Sequence, residues 1–141
     1  MNYNIRKYQS SDYDMICSWW KANKMPYPAK DFLPSTTYVL CNEAGLPWVS
    51  VALIVTNTSY IAWLELLIAN PELTKEGRKQ ACAALLTHMI HVAKDLGYKN
   101  LLCLAPNKPL ERYYNDLGFK TELPNSSMLV MQLNKGDVCH Q

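Results

Sequence analysis

The chain has 141 residues, of which 49% are hydrophobic, and this length suits one domain with a single substantial core. A net charge of +2, with 18% charged residues, is too balanced to indicate nucleic acid, a membrane surface or another polyanion as a partner. No uncharged apolar run approaches the roughly 18 residues that cross a bilayer, and the N-terminus has no apolar signal segment. We expect one domain over 1–141, with its core over about 3–133 and a loose tail over 134–141.

The number and spacing of the cysteines indicate the redox state of the cellular compartment. There are five, an odd number, and they are dispersed without a C-x-x-C pair. This usage is typical of reduced, mostly buried thiols in a cytoplasmic protein. The cysteines are Cys17, Cys41, Cys82, Cys103 and Cys139.

The first third of the chain predicts a strand, a helix and a proline-rich loop. Residues 3–8 alternate loosely and predict an edge strand. Apolar spacing of i, i+3, i+4 and i+7 after a cap at Ser10 or Ser11, with Asp12, predicts a helix over about 11–23. Trp19 and Trp20 point in different directions on that helix, so we expect one ring in the core and the other lining a pocket. Prolines then exclude a long regular element before residue 34.

The middle of the chain predicts a sheet. Three β-rich runs, 36–41, 48–56 and 60–69, are joined by turn-forming clusters and predict an antiparallel meander. A helix is expected over about 75–96, followed by a wholly apolar strand over 101–105. A strand–helix–strand order implies a right-handed crossover, so 101–105 should lie parallel to 60–69.

The last third predicts one more helix and one more strand. A helix is expected over about 108–117, ending at Gly118. After a turn, residues 127–133 predict the final strand.

The connection from the third strand into the long helix carries the first motif. A strand that feeds through a loop into a helix presents unpaired N–H groups and the positive end of the helix dipole, which suit a phosphate. Residues 78–83 read Arg-Lys-Gln-Ala-Cys-Ala. They match the first and last positions of the pyrophosphate loop Gln/Arg-x-x-Gly-x-Gly/Ala, with Ala81 where that loop has its first glycine.

The second motif lies on the last helix. Asn107, Tyr114 and Gly118-Phe119 keep every spacing of Asn-x-x-Ala-x-x-x-Tyr-x-x-x-Gly-Phe, with Leu110 at the alanine position. With both motifs in these elements, the chain resembles the GNAT superfamily of acetyl-coenzyme A-dependent N-acetyltransferases over nearly its whole length. The resemblance implies an α+β, three-layer fold with a mixed, largely antiparallel sheet of about six or seven strands, a parallel splayed pair and about four flanking helices.

The resemblance also implies a binding mode for acetyl-coenzyme A. Backbone groups of Leu67, Ile68 and Ala69, next to the splay, would bind the pantetheine arm and polarise the thioester carbonyl. Asn107 would hydrogen-bond the arm near its thiol. The diphosphate would lie on the N–H groups of the loop, which are those of Arg78, Lys79, Gln80, Ala81, Cys82 and Ala83. Lys75, Arg78 and Lys79 would add positive charge, with a solvated helix end as the alternative.

Two residues are predicted to carry the chemistry. Tyr114 matches the general acid of the family, which protonates the leaving thiolate; the alternative is a packed aromatic ring. Glu65 is an acid inside an apolar strand, and we expect it to act as general base for the acceptor ammonium, directly or through a water. A structural ion pair is the alternative for Glu65, and Glu72 is the reserve base.

The sequence says less about the acceptor substrate and about a possible metal site. Met25, Tyr27, Phe32 and one of the tryptophans would wall the site of a small-molecule or peptide amine, with plain core packing as the alternative. His88 and His91 lack a third ligand nearby, so no metal is expected. The sequence leaves the oligomeric state open, a homodimer included. Ala81 and a long connection over 71–78 favour an alternative function, an inactive acyl-coenzyme A-binding or interaction module.

Overall fold

The strands in the described part of the protein form two sheets. The structure, a computed structural model, describes residues 2–131, residue 133 and the backbone of 139–140. The larger sheet has five strands in the order β1-β3-β4-β5-β6, and β2 pairs with β7 in a separate ribbon. The strands are β1 Asn4–Lys7, β2 Tyr27–Pro28, β3 Thr37–Cys41, β4 Pro47–Val55, β5 Ile61–Ala69, β6 Asn100–Cys103 and β7 Cys139–His140. The helices are α1 Tyr13–Ala22, α2 Lys75–Asp95 and α3 Lys108–Asp116.

Most of the predicted pairing is confirmed. β3, β4 and β5 form the antiparallel meander, and β1 is an edge strand against β3. β5 and β6 pair in parallel, as a right-handed crossover through α2 requires. The predicted mixed sheet with one parallel pair is therefore present, although the described residues form fewer strands in this sheet and fewer α-helices than expected.

The predicted final strand is wrong. Residues 127–131 and residue 133 are not in a strand, and the side chains of Leu129 and Met131 are 91% and 81% exposed. The composition of this segment favours a strand, but it pairs with no edge among the described residues, and β propensity depends on such a partner.

The predicted loose tail also needs correction in one place. Cys139–His140 pair with Tyr27–Pro28 as an antiparallel ribbon. Residues 134–138 and 141 lie outside the described residues.

The helices cover opposite faces of the larger sheet. α2 packs Ala81, Leu85 and Met89 onto one face, which includes Val51 and Leu64. α1 packs Ile16, Trp19 and Trp20 against Val39 and Ile68 on the other face. None of the described helices has the length and apolar character needed to cross a membrane.

The two adjacent tryptophans pack together after all. Trp19 and Trp20 are 3% and 7% exposed and belong to the same apolar cluster. The expectation that one ring would line a pocket is wrong because Ile16, Cys17, Trp19 and Trp20 are all buried, so the covered sector of α1 is wide enough to take two neighbouring side chains.

Candidate active site

The parallel strands β5 and β6 separate part-way along their length. Their register runs from Ile61 opposite Asn100 to Leu64 opposite Cys103, where β6 ends. β5 continues to Ala69 and stays paired with β4 on its other side. Among the described residues, Glu65 to Ala69 therefore have no strand partner on the β6 side, and this edge is a place where an extended ligand can lie like another strand.

A bulge in β5 lies beside this opening. The register between β4 and β5 shifts between Ser50 and Ala52, so that Leu66 and Leu67 oppose one residue of β4. Leu66 has φ +59°, a left-handed conformation that is uncommon for a bulky side chain. Bulges increase local twist and redirect side chains, which explains why Leu66 and Ile68 pack towards α1 while Leu67 packs towards α2.

Glu65 is the first β5 residue beyond the part of the strand that pairs with β6. Its side chain is half-buried, and it is in neither of the two ion pairs formed among the described residues. Burial raises the pKa of Glu65, and the Leu66 amide and the Trp63 indole oppose this by hydrogen bonding. The structural ion pair considered as the alternative role for Glu65 is thus not formed within the described chain.

Tyr114 lies on the inward face of α3. Its ring is only 6% exposed and makes an edge contact with Phe119, with 5.6 Å between ring centroids. Its hydroxyl group makes no hydrogen bond to a described residue, which leaves it available to a ligand. Burial raises the pKa of Tyr114, and the nearby Cys103, Cys82 and Glu65 raise it further, which keeps the phenol protonated at neutral pH.

Glu65 and Tyr114, which the sequence singled out separately, are therefore brought within electrostatic range of each other. The sequence analysis did not identify two further residues close to Glu65. Cys103 ends β6, and burial together with the Glu65 charge raises its pKa to about 11. Trp63 lies two residues before Glu65, and the two-residue period of a strand could have indicated that they share a face.

The start of α2 differs from the predicted pyrophosphate loop. α2 begins at Lys75 with Thr74 as its N-cap, and Thr74 Oγ1 accepts a hydrogen bond from the Gly77 amide at 3.0 Å. The amide of Arg78 donates to the Thr74 carbonyl at 2.8 Å. The expected long connection over 71–78 is thus a short loop, and its second half is the first turn of the helix.

This changes which backbone groups are free to bind phosphate. The amides of residues 79–83 lie inside α2, where each N–H is directed at the carbonyl four residues earlier. The prediction that these amides hold a diphosphate therefore needs correction: the unpaired donors are one turn earlier, at Lys75 and Glu76. Ala81 and Cys82 face the core, and burial raises the pKa of Cys82 to about 11.

The polar side chains predicted to hold the cofactor are accessible. Lys75, Arg78, Lys79 and Gln80 are all exposed at the start of α2. Asn107 is the N-cap of α3, and its Oδ1 accepts from the Leu110 amide at 2.9 Å, which leaves its amide NH₂ as the free donor. Tyr113 donates from its hydroxyl to the Lys79 carbonyl at 2.9 Å and ties α3 to α2.

The other residues that the sequence singled out differ in how exposed they are. Met25 and Phe32 are 47% and 45% exposed, and Tyr27 is half-buried beside α1. Glu72 is exposed on the loop before α2. His88 packs against the Tyr38 ring, with 5.6 Å between centroids, and the described residues contain no group of histidine, cysteine and acidic side chains arranged for a metal ion.

Comparison with known proteins gives matches at the level of structure. No family model and no curated protein matches the chain. The N-acetylglutamate synthase of Neisseria gonorrhoeae, in complex with coenzyme A and N-acetyl-glutamate, is similar with a TM-score of 0.72 and 21% identity, over 89% of this chain and 31% of the synthase chain. This chain thus spans less than a third of that protein's length.

Two smaller proteins are similar over most of both chains. An acetyltransferase of Trypanosoma brucei matches with a TM-score of 0.70 and 14% identity, over 92% of this chain and 100% of its own. Ard1 of Thermoplasma volcanium matches with a TM-score of 0.70 and 14% identity, over 85% of this chain and 84% of its own. The chain has the fold of the GNAT-type acetyltransferases, which confirms the fold that the sequence motifs predict.

Proposed function

We propose that this protein is an N-acetyltransferase that moves an acetyl group from acetyl-coenzyme A directly to a primary amine. One observation carries the proposal: β5 and β6 separate after Leu64 and Cys103, with Glu65 directly beyond the separation and Tyr114 within electrostatic range of Glu65 and Cys103. An opening between strands can hold an extended arm, and an acid and a base at its mouth suit acyl transfer. The GNAT fold of the chain supports the same function.

The described residues offer suitable contacts for acetyl-coenzyme A. The free edge of Leu67, Ile68 and Ala69 can hydrogen-bond the pantetheine arm as a strand would, and the Asn107 amide is available near the end of that arm. The Lys75 and Glu76 amides, together with the exposed Arg78 and Lys79 side chains, suit the diphosphate.

Glu65 and Tyr114 then divide the proton transfers. Glu65 accepts a proton from the acceptor ammonium, and the freed nitrogen lone pair attacks the carbonyl carbon of the thioester. The carbon–sulfur bond breaks, and Tyr114 gives its proton to the departing sulfur. The proton released from the new amide nitrogen returns the phenolate to phenol, so the products are an N-acetylated amine, coenzyme A with a free thiol and one proton on Glu65. Each positioned proton transfer contributes about a hundredfold to ten-thousandfold in rate.

A second candidate is a GNAT-like module that binds acyl-coenzyme A without catalysis. It is favoured by the helical start of α2, since the amides of 79–83 are engaged inside the helix and fewer backbone donors remain for a diphosphate.

Thermal-shift titration and a thiol-release assay separate the two candidates. An acetyltransferase is stabilised by acetyl-coenzyme A and releases coenzyme A thiol when a suitable primary amine is added. Stabilisation without amine-dependent thiol release over a broad amine panel favours the binding module. Absence of any stabilisation by acetyl-coenzyme A or coenzyme A contradicts both.

A further inference from the structure

A cavity of about 390 Å³ lies between α1 and β2, away from the cofactor contacts described above. It is lined by Tyr13, Asp14, Cys17, Lys21 and Tyr27. Its volume is in the range of pockets that bind small molecules, roughly 300–1,000 Å³.

Two opposite charges line this cavity without neutralising each other. Asp14 and Lys21 are exposed and lie seven residues apart, on one face of α1. The ion pairs among the described residues are Arg6 with Asp12 and Lys108 with Glu111, so neither Asp14 nor Lys21 is in one. Their Cα atoms are separated by about 10 Å along the helix axis. Since helical side chains lean towards the N-terminus, Lys21 extends back towards Asp14, and a ligand with both charges can bridge the remaining gap.

The rings of Tyr13 and Tyr27 also line the cavity. Tyr13 is fixed by a hydrogen bond from its hydroxyl to the Pro28 carbonyl at 2.8 Å. Lys21 Nζ lies 5.0 Å from the centroid of the Tyr27 ring, and Lys30 Nζ lies 5.9 Å from that of Tyr13. The Tyr27 ring thus holds the Lys21 ammonium group at the cavity, where it attracts an anionic group.

The cavity is on the same side of the sheet as the proposed base. Tyr27, which lines the cavity, packs against the apolar cluster of α1. Ala62 and Leu64 pack towards α2, so the two-residue period of β5 places Glu65 on the α1 side as well. A ligand held in the cavity by one end can therefore extend its other end along this layer towards Glu65.

We propose that this cavity binds the amino-acid end of an acceptor whose second, side-chain amine is acetylated. Asp14 binds the α-ammonium group, Lys21 binds the α-carboxylate, and the Tyr13 and Tyr27 rings flank the carbon chain. The substrate class is a free basic amino acid of the lysine type. The inference rests on the proposed function for the reaction itself, but the binding it describes can be measured without turnover.

Isothermal titration calorimetry with four ligands tests the recognition of each group. L-Lysine has all three groups, norleucine lacks the side-chain amine, 6-aminohexanoate lacks the α-ammonium and cadaverine lacks the carboxylate. We expect lysine and norleucine to bind with similar affinity, and 6-aminohexanoate and cadaverine to bind more weakly. In the thiol-release assay, lysine should be a substrate and norleucine a competitive inhibitor. Equal binding of cadaverine and lysine would overturn the inference.

Two variants and a matched control locate the site. Lys21→Met and Asp14→Asn should each weaken lysine binding by about two- to fivefold, the range for a solvent-exposed ion pair. Lys99→Met removes an exposed lysine far from the cavity and should bind lysine as the wild type does. Wild-type affinity in both cavity variants would contradict the inference, whether or not the protein acetylates amines. Loss of lysine binding in these variants without any acetyl-coenzyme A turnover would support the cavity and contradict the proposed enzyme.

Discussion

Leu64 and Cys103 form the last register pair between β5 and β6, and the two strands part immediately after them. Glu65 follows Leu64 along β5, and Tyr114 lies near enough to Cys103 and Glu65 for their negative charges to raise its pKa. Because β6 ends at Cys103, a carboxyl group lies directly beyond the paired part of the two strands, within electrostatic range of a phenol.

Tyr114→Phe should lower turnover by about a hundredfold or more, the usual contribution of a positioned acid. Because phenylalanine keeps the ring that packs against Phe119, the fold and the affinity for acetyl-coenzyme A should change little. The measurements are kcat in the thiol-release assay and the dissociation constant of acetyl-coenzyme A.

The neighbouring tyrosine gives a matched control for this variant. Tyr113→Phe removes a hydroxyl that donates to the Lys79 carbonyl, so it should cost about 1 kcal/mol of stability and leave kcat near the wild-type value. A Tyr114→Phe enzyme as active as Tyr113→Phe would show that Tyr114 is only a packed ring.

Glu65→Gln should remove one limb of the pH profile of kcat/KM. The base must be ionised, and burial raises the pKa of Glu65, so wild-type activity should rise with pH at a midpoint above that of an ordinary glutamate. Glutamine cannot accept the proton, so this limb should be absent and the rate lower at every pH. An unchanged profile in Glu65→Gln would exclude Glu65 as the base, and Glu72→Gln would then be the variant to measure.

Glu65→Gln should lower activity but raise the free energy of unfolding at neutral pH. A carboxyl group whose pKa is raised in the folded state binds protons more tightly there than in the unfolded chain, so it lowers the free energy of unfolding as pH rises above its unfolded value. Glu65→Gln should therefore be more stable than the wild type at pH 7. The difference should shrink towards zero as both proteins are acidified below that value. Melting temperatures across this pH range measure it, and a less stable variant at pH 7 would mean that Glu65 has a favourable partner.

Sequence patterns predict most of the sheet because its strands are buried on both sides and their apolar runs are unambiguous. β4 and β5, with the crossover to β6, follow directly from such runs. Residues 127–133 have an equally good strand composition, but a strand also needs an edge to pair with, and composition does not report that edge.

The sequence predicts the individual site residues but not their arrangement in space. Glu65 stands out as an acid in an apolar strand, and Tyr114 stands out by its motif spacing. Their proximity depends on where β6 ends and on the bulge at Leu66, and no residue type in the sequence signals a leucine at positive φ. The start of α2 at Lys75 follows the sequence prediction, but the diphosphate contacts were assigned from the family motif, which begins at Arg78, one turn after the Thr74 cap.

The bulge at Leu66 can be tested with a pair of conservative substitutions. Leu67→Val removes one methylene from a half-buried side chain and should cost about 0.8 kcal/mol or less. Leu66→Val removes the same group but places a β-branched residue at φ +59°, so it should cost about 1 kcal/mol more. It should also weaken acetyl-coenzyme A binding, since the bulge shapes the free edge of β5. Equal unfolding free energies for the two variants would contradict the strained geometry.

The charge at the start of α2 should make cofactor binding sensitive to salt. Arg78 and Lys79 are exposed and lie within one turn of the free amides of Lys75 and Glu76. The double variant Arg78→Ala, Lys79→Ala should bind coenzyme A about two- to tenfold more weakly at low ionic strength, because two exposed contacts to phosphate are lost. Near 1 M salt, where the screening length falls to about 3 Å, the wild-type and variant affinities should converge. Lys94→Ala, at the opposite end of α2, is the matched control and should bind as the wild type does at every salt concentration. If the double variant and the control bind coenzyme A equally at low salt, the diphosphate does not lie at this end of the helix.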